Sequence, residues 1–401
     1  MSVLFQQTNI KGMELKNRLV RSATVEGMAD KDGAPTRDLF NLYEKLAKGG
    51  VGLIITGAAY VSEDSKLPFY GMSTIRDEHI NIYRDLVEHV HKNGTRIAMQ
   101  IAHAGRQTTK EAAGTQPIAP SAVEEKVLFV KPRAMTEDDI GRVIEDFSMA
   151  ARRVREAGFD AVQIHAAHGY LVNQFLCPHT NRRTDSWGGS LENRMRFVQA
   201  IYERCRKEVG TDFPILIKIN GYDNMKNGLK TEESVVMAKM MSDMGFDGIE
   251  VSCGIGEDGL SQLRGEVPME AMLKEWPMYR NKNFIFKFMM KHFGRKMMNT
   301  PPLVEAYNRE SASLIKSKVK VPVFLVGGVT DPATMEDIIK NGDADYISLC
   351  RSLIAEPGFV ELIRNGSREK SRCIHCNLCL AYMVSYSLKC YNGKMIDNGG
   401  E

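Results

Sequence analysis

Apolar positions along this chain follow two alternating rhythms. Short, partly β-branched apolar runs read as buried strands at 17–22, 51–56, 96–101, 161–164, 215–219, 248–251, 323–326 and 346–349. Between several of them the apolar positions recur at helical spacing, over 78–92, 137–157, 191–209, 232–244 and 332–341. Thr136 and Thr231 precede acid-rich first turns and read as N-caps. Gly158 stands where a helix C-terminus calls for glycine. Eight such strand–helix units in 401 residues predict a (β/α)8 barrel of the TIM type. A doubly wound sheet is the alternative, but no single switch point stands out. Residues 4–15 alternate around Lys11-Gly12, which predicts an N-terminal hairpin plugging one barrel end.

Two stretches interrupt the repeat. The third connection, 103–135, is long and contains Pro117, Pro120 and Pro132; an insertion of about 254–303 follows strand six. Long connections of this kind carry lids and binding loops. Within the insertion, 284–293 is expected to form a packed amphipathic helix with a solvated basic face, in preference to a membrane contact. Gly254, Gly256 and Gly259 match a Gly-x-Gly-x-x-Gly pattern after a strand. Glu257 and Asp258 would set two negative charges in that turn, so a dinucleotide site is not expected there.

Composition narrows the class. Hydrophobic residues make up 43% and charged residues 26%, as in ordinary globular proteins. A net charge of +3, from 53 Lys and Arg against 50 Asp and Glu, gives no reason to expect nucleic acid. No cleavable apolar leader and no membrane-length apolar run is visible, so a cytoplasmic protein with no membrane partner is expected. Cys177, Cys205, Cys253 and Cys350 are scattered, whereas Cys373, Cys376, Cys379 and Cys390 cluster. The expected organisation is a barrel over 1–370 and a cysteine-rich segment, 371–401, packed on it.

Chemistry concentrates just past the fourth strand, where His165, His168 and Tyr170 follow one another. In a parallel α/β protein that end of the strand faces ligands. Two imidazoles and a phenol supply hydrogen-bond donors and a proton carrier. The sequence around them, His165-Ala-Ala-His168-Gly-Tyr170-Leu followed by Asn181-Arg-Arg-Thr-Asp-Ser-Trp187-Gly-Gly-Ser-Leu-Glu-Asn-Arg194, resembles the Old Yellow Enzyme family of flavin oxidoreductases. It is nearer to the branch containing 2,4-dienoyl-CoA reductase, and the similarity runs from about Leu4 to about Cys390.

The resemblance implies flavin mononucleotide (FMN) held at several strand ends. Ser22 and Ala23 match the backbone contacts, Ala58 the small residue under the ring, and Gln100 the glutamine on its pyrimidine edge. Lys218 falls where the family usually has arginine, and a cation there would stabilise reduced flavin. Val25 occupies the position commonly held by Thr, Cys or His, and offers no hydrogen bond. For the phosphate, Gly327 and Gly328 close strand seven and Arg351 follows strand eight, where barrel phosphate sites form. The implied reaction is ping-pong. NADH or NADPH reduces the flavin, and an enone or enoate substrate is then reduced at its C=C bond. His165 and His168 would hold the carbonyl oxygen, and Tyr170 would donate the proton. The second reading is a non-redox barrel, an aldolase or binding scaffold, which would not need Gln100, Lys218 and the Gly327/Arg351 pair together.

Cys373, Cys376, Cys379 and Cys390 supply four thiolates, the usual ligand set of a [4Fe–4S] cluster, and equally a set that suits zinc. Free thiols are the third reading. The dienoyl-CoA reductase branch carries a similar cluster with one more residue before its third cysteine. It also has a second half that binds FAD and pyridine nucleotide. With that half not in this sequence, a cluster here is expected to draw on a separate electron-donor protein or to be a structural relic.

Overall fold

The computed structural model describes residues 2–67, 70–259, 261–298 and 300–393. The end of the expected cysteine-rich segment, 394–401, lies outside the described residues. Eight parallel strands close into a barrel: β1 (Leu19–Arg21), β2 (Leu53–Ile55), β3 (Arg96–Ala102), β4 (Ala161–Ala166), β5 (Ile215–Asn220), β6 (Gly248–Ser252), β7 (Val323–Val326) and β8 (Tyr346–Leu349). Each pairs with its neighbour in sequence, and β8 returns to β1. Strands covered on both sides read as continuous apolar runs rather than alternating ones, which is why the sequence pattern located all eight. Outside them lie α1 (Arg37–Lys48), α2 (His79–His91), α3 (Glu137–Glu156), α4 (Leu191–Val209), α5 (Thr231–Met244), α6 (Arg309–Lys316), α7 (Pro332–Lys340) and α8 (Phe359–Arg364).

The hairpin forms as expected. Strands Thr8–Ile10 and Met13–Leu15 pair antiparallel across Lys11 and Gly12, both at positive φ as a tight hairpin turn requires. Ile10, Met13 and Leu15 bury against Val20, Leu53, Ala98, Leu216 and Phe324, closing the N-terminal mouth of the barrel. The opposite mouth is left for ligands.

Thr136 caps α3 in a reciprocal box with Asp139. Thr231 is a correction: it is the first residue of α5, and Lys230, in extended conformation, occupies the cap with no side-chain capping bond. Glu232 and Glu233 in the first turn still meet the positive end of the helix.

The insertion after β6 folds into three short helices, Met269–Glu275, Pro277–Arg280 and Phe284–Met298. The last of these departs from the expected packed helix with a solvated basic face. Phe284, Ile285, Phe288, Met289 and Phe293 are exposed on it. Local periodicity found the helix; it held no information on which side would meet a neighbour.

Gly256–Asp258 is a single 3-10 turn, with no helix of nucleotide-binding kind. Its Glu257 instead accepts from Arg106 Nη2 at 2.6 Å, His179 Nε2 at 3.0 Å and the backbone N–H of Lys126 at 2.7 Å. Burial opposes the charge, but His179 and Arg106 prevail and bring the carboxyl down to about 2. Residues 371–393 lie over the ligand end of the barrel, where the helix Leu378–Met383 seats Ala381 against Ala271 and Met272 of the insertion. No helix among the described residues is long and apolar enough to cross a membrane.

Candidate active site

At the C-terminal ends of the strands lies a cavity of about 430 Å³. That is within the usual size of small-molecule sites. Ser22 and Ala23 reach it from β1, Ala58 from β2, Gln100 from β3, and His165, His168 and Tyr170 from β4. Lys218 reaches it from β5, Gly327 and Gly328 from β7, and Arg351 from β8. The structure thus brings together every residue singled out for flavin and catalysis, along with Val25.

The floor is a line of buried polar side chains. Gln100 Nε2 donates to Gln163 Oε1 at 2.7 Å, and Gln163 Nε2 donates to Glu250 Oε2 at 3.0 Å. The same carboxylate oxygen stands 3.5 Å from Lys218 Nζ, which donates to Ser22 Oγ at 2.9 Å. Strand register makes this line: Gln100 is paired with Gln163, and Lys218 with both His165 and Glu250. Gln163 and Glu250 escaped the sequence reading. The signal was present, since each interrupts a short apolar strand run that is otherwise wholly buried.

The wall is the β4 turn. His168 takes the left-handed conformation at φ 60° and Gly169 follows at φ 79°, so the chain reverses sharply after the strand. Asn220 Oδ1 accepts from the His168 backbone N–H, and Gln107 Nε2 donates to its carbonyl. The His168 ring is fixed by Ser252 Oγ, 2.7 Å from Nε2. His165 meets it edge-on at 5.2 Å between centroids, and Tyr170 lies 4.8 Å from His165. Burial and the Lys218 cation push both imidazoles well below their usual range. Burial pushes the Tyr170 phenol up to about 12. Near neutral pH the wall therefore carries two uncharged rings and a protonated phenol.

At the far end, Gly327 and Gly328 have φ of 143° and 68°. A Cβ on either would stand 2.7–2.8 Å from the Tyr307 ring, so only glycine fits under that tyrosine. Tyr307 is a third residue the sequence reading missed; nothing in the local pattern 300–308 marks it. Arg351 Nη1 donates to the carbonyls of Leu263 and Arg264 and to Asn377 Oδ1. Its Nε and Nη2 have no partner among the described residues. Three buried atoms around the site, His165 Nδ1 in the wall, Glu250 Oε1 in the floor and Ser348 Oγ on β8, are also unpartnered among the described residues.

The terminal cysteines are arranged differently from the expected metal site. All four are free thiols and line one small void of about 20 Å³, with Cys379 also facing the large cavity. Such a void has room for about one water molecule. Among the described residues no three His, Cys, Asp or Glu side chains are disposed to hold a metal ion. Burial raises the Cys373 thiol and takes Cys379 up to about 12, which favours the protonated form. As folded here, Cys373, Cys376, Cys379 and Cys390 do not fit a cluster or zinc.

A family profile for the NADH:flavin oxidoreductase / NADH oxidase family matches residues 3–254 and 269–370. The chain is 34% identical to an NADH oxidase of Thermoanaerobacter brockii over 96% of its length, and spans about half (54%) of that relative. It is 33% identical to an NADPH dehydrogenase of Geobacillus sp. (strain WCH70), covering 89% of this chain and 92% of the relative. The old yellow enzyme homologue of Zymomonas mobilis superposes with a TM-score of 0.72 at 24% identity, over 93% of this chain and 95% of that one. That likeness is one of fold. With the profile covering most of the barrel, and relatives above 30% identity over nearly the whole chain, this protein belongs to the NADH:flavin oxidoreductase / NADH oxidase family.

Proposed function

We propose that the protein is an FMN-dependent NAD(P)H oxidoreductase that reduces the C=C bond of α,β-unsaturated carbonyl compounds. The observation that carries this reading is the β4 wall: two uncharged imidazoles and a protonated phenol facing one cavity above a lysine. A metal-free aldolase or a binding scaffold has no use for that combination with Gln100 and Arg351.

FMN suits the residues present. The unpartnered Arg351 nitrogens and the Gly327-Gly328 backbone would take its phosphate. Lys218 and Gln100 would take the polar edge of its ring, above Ser22, Ala23 and Ala58. When bound, FMN supplies reversible hydride transfer from NADH or NADPH.

The chain's own groups then act on the substrate. His165 and His168 each present a hydrogen-bond donor to the carbonyl oxygen and stabilise the negative charge that develops on it. Neutral rings suit this, because they stabilise that charge without giving up a proton. Tyr170, held protonated, delivers its proton to the α-carbon. Lys218 keeps a fixed positive charge beneath the site, and the covering residues 371–393 limit water.

The test is reconstitution with FMN followed by anaerobic half-reactions. The protein is expected to bind one FMN per chain, to bleach with NADH or NADPH, and to regain colour on addition of a simple enone. Failure to retain FMN would defeat the cofactor assignment. Bleaching without recovery on any enone or enoate would leave an NAD(P)H:flavin oxidoreductase of another substrate class.

A further inference from the structure

The Phe284–Met298 helix inverts the usual pattern of a surface helix. At about 100° per residue, Phe286, Met290, Gly294 and Met298 share one side. Gly294 is buried, its Cα facing Met269 so closely that a Cβ would stand 2.6 Å from that methyl group, and Met298 packs on the Ala271–Met272 cluster. The opposite arc carries Phe284, Ile285, Phe288 and Met289, which are 79%, 69%, 51% and 48% exposed, with Phe293 at 56% on its margin. Scattered exposed apolar side chains need no explanation, but a contiguous arc of large ones marks a contact surface.

Charge identifies what the surface would meet. The sequence from 280 to 298 holds Arg280, Lys282, Lys287, Lys291, Arg295 and Lys296, with no Asp or Glu, in a chain whose net charge is only +3. Lys291 pairs with Glu270 at 2.6 Å; Lys282, Lys287 and Lys296 form no ion pair among the described residues. An apolar arc flanked by unneutralised cations is the makeup of a helix that lies in a lipid interface. A second copy of this chain is a poor occupant, because the same cations would be brought face to face. At 15 residues, and with this charge, the helix is not a spanning segment.

We propose that this helix docks the protein on an anionic lipid bilayer, lying in the plane of the headgroups with the Phe284–Phe288 arc inserted. The inference is independent of the reaction assigned to the cavity. The two are neighbours all the same, since Trp276, Pro277 and Met278 of the same insertion line the cavity.

The experiment is co-sedimentation of the full chain with vesicles of phosphatidylcholine alone or of phosphatidylcholine mixed with phosphatidylglycerol. Binding is expected to be at least roughly tenfold tighter to the mixed vesicles and to weaken with salt. Phe284→Ser with Phe288→Ser is expected to lower it by roughly tenfold or more, with an unchanged melting temperature because both side chains are exposed. Lys282→Gln with Lys287→Gln should weaken only the anionic component. No sedimentation with either vesicle would overturn the proposal. So would binding that the phenylalanine variant leaves intact, which would be charge adsorption alone. A dimer in solution that the same variant dissociates would replace the bilayer with a second copy.

Discussion

Lys218 and Glu250 face each other in register on adjacent parallel strands, their charged atoms 3.5 Å apart beneath the cavity. Both side chains are almost wholly buried. A buried pair adds little net stability, yet removing one partner leaves an uncompensated charge. Glu250→Gln keeps the shape and Gln163's bond to the side chain but strands the Lys218 cation. The expected outcome is a loss on the order of 3 kcal/mol in the unfolding free energy of flavin-free protein, measured by urea titration. An unchanged midpoint would mean that Lys218 is neutral or hydrated in the fold.

Tyr170 is expected to act in only one of the two half-reactions. Tyr170→Phe should slow enone reduction by roughly a hundredfold or more while anaerobic flavin reduction by NAD(P)H stays near normal. Stopped-flow traces of the two steps separate the outcomes. Equal loss in both would assign the residue to the shape of the cavity, and no loss would give the proton to water or another group.

Arg351 has two tasks that can be told apart. Arg351→Ala should weaken FMN by about 1.5–3 kcal/mol, the worth of a charge-assisted hydrogen bond, as read by fluorescence titration. Riboflavin, which lacks the phosphate, should bind the variant as it binds the parent. Because Nη1 also holds Asn377 and two insertion carbonyls, faster proteolysis within 371–393 is expected as well. An equal loss for riboflavin would move the phosphate elsewhere.

The two wall histidines should leave a signature in stability against pH. Their folded pKa lies well below 6.5, so the unfolded chain binds more protons once pH falls beneath that value. Stability from this source is complete above about 6.5 and declines below it, by about 1.4 kcal/mol per pH unit for each imidazole. Asp223, raised to about 6 by burial, has the opposite sign and strengthens the fold as pH drops through its range. The comparison is therefore between the parent and His165→Asn/His168→Asn. The variant should show a shallower fall in urea-derived stability between pH 6.5 and pH 5. Parallel curves would mean that the rings are hydrated and titrate normally.

The sequence disclosed the barrel because each strand is buried on both sides and each helix on one, which writes the architecture into apolar spacing. His165, Tyr170 and Arg351 were legible as chemistry at strand ends, whereas Ser22 and Gln100 came only from the family resemblance; all five line one cavity because strand ends converge in this architecture whatever the loops do. Gln163 and Glu250 were lost among apolar neighbours, since one polar residue in a strand does not announce whether it points inward or outward. Tyr307 was lost because its contact with Gly327 and Gly328 reaches across α6 and β7, a separation that no local pattern spans. The exposed arc of Phe284–Met298 was misread for a related reason: periodicity gives the faces of a helix but not what stands opposite them. At the cysteines, spacing named four donors, while the fold gathers them around a void too small for an iron–sulfur cluster and, among the described residues, disposes no three such side chains to hold a metal ion.

Glu257 gathers Arg106, the Lys126 amide and His179, which belong to the connections after β3 and β4, while Glu257 itself belongs to the connection after β6. Three segments distant in sequence are thus fastened at one carboxylate. A ligand that lifts any of them must loosen the others, so this side of the lip behaves as a single collar rather than as separate flaps. Substitutions of Arg106, His179 or Glu257 would accordingly share one phenotype, altered passage into the cavity, with the chemistry within it untouched.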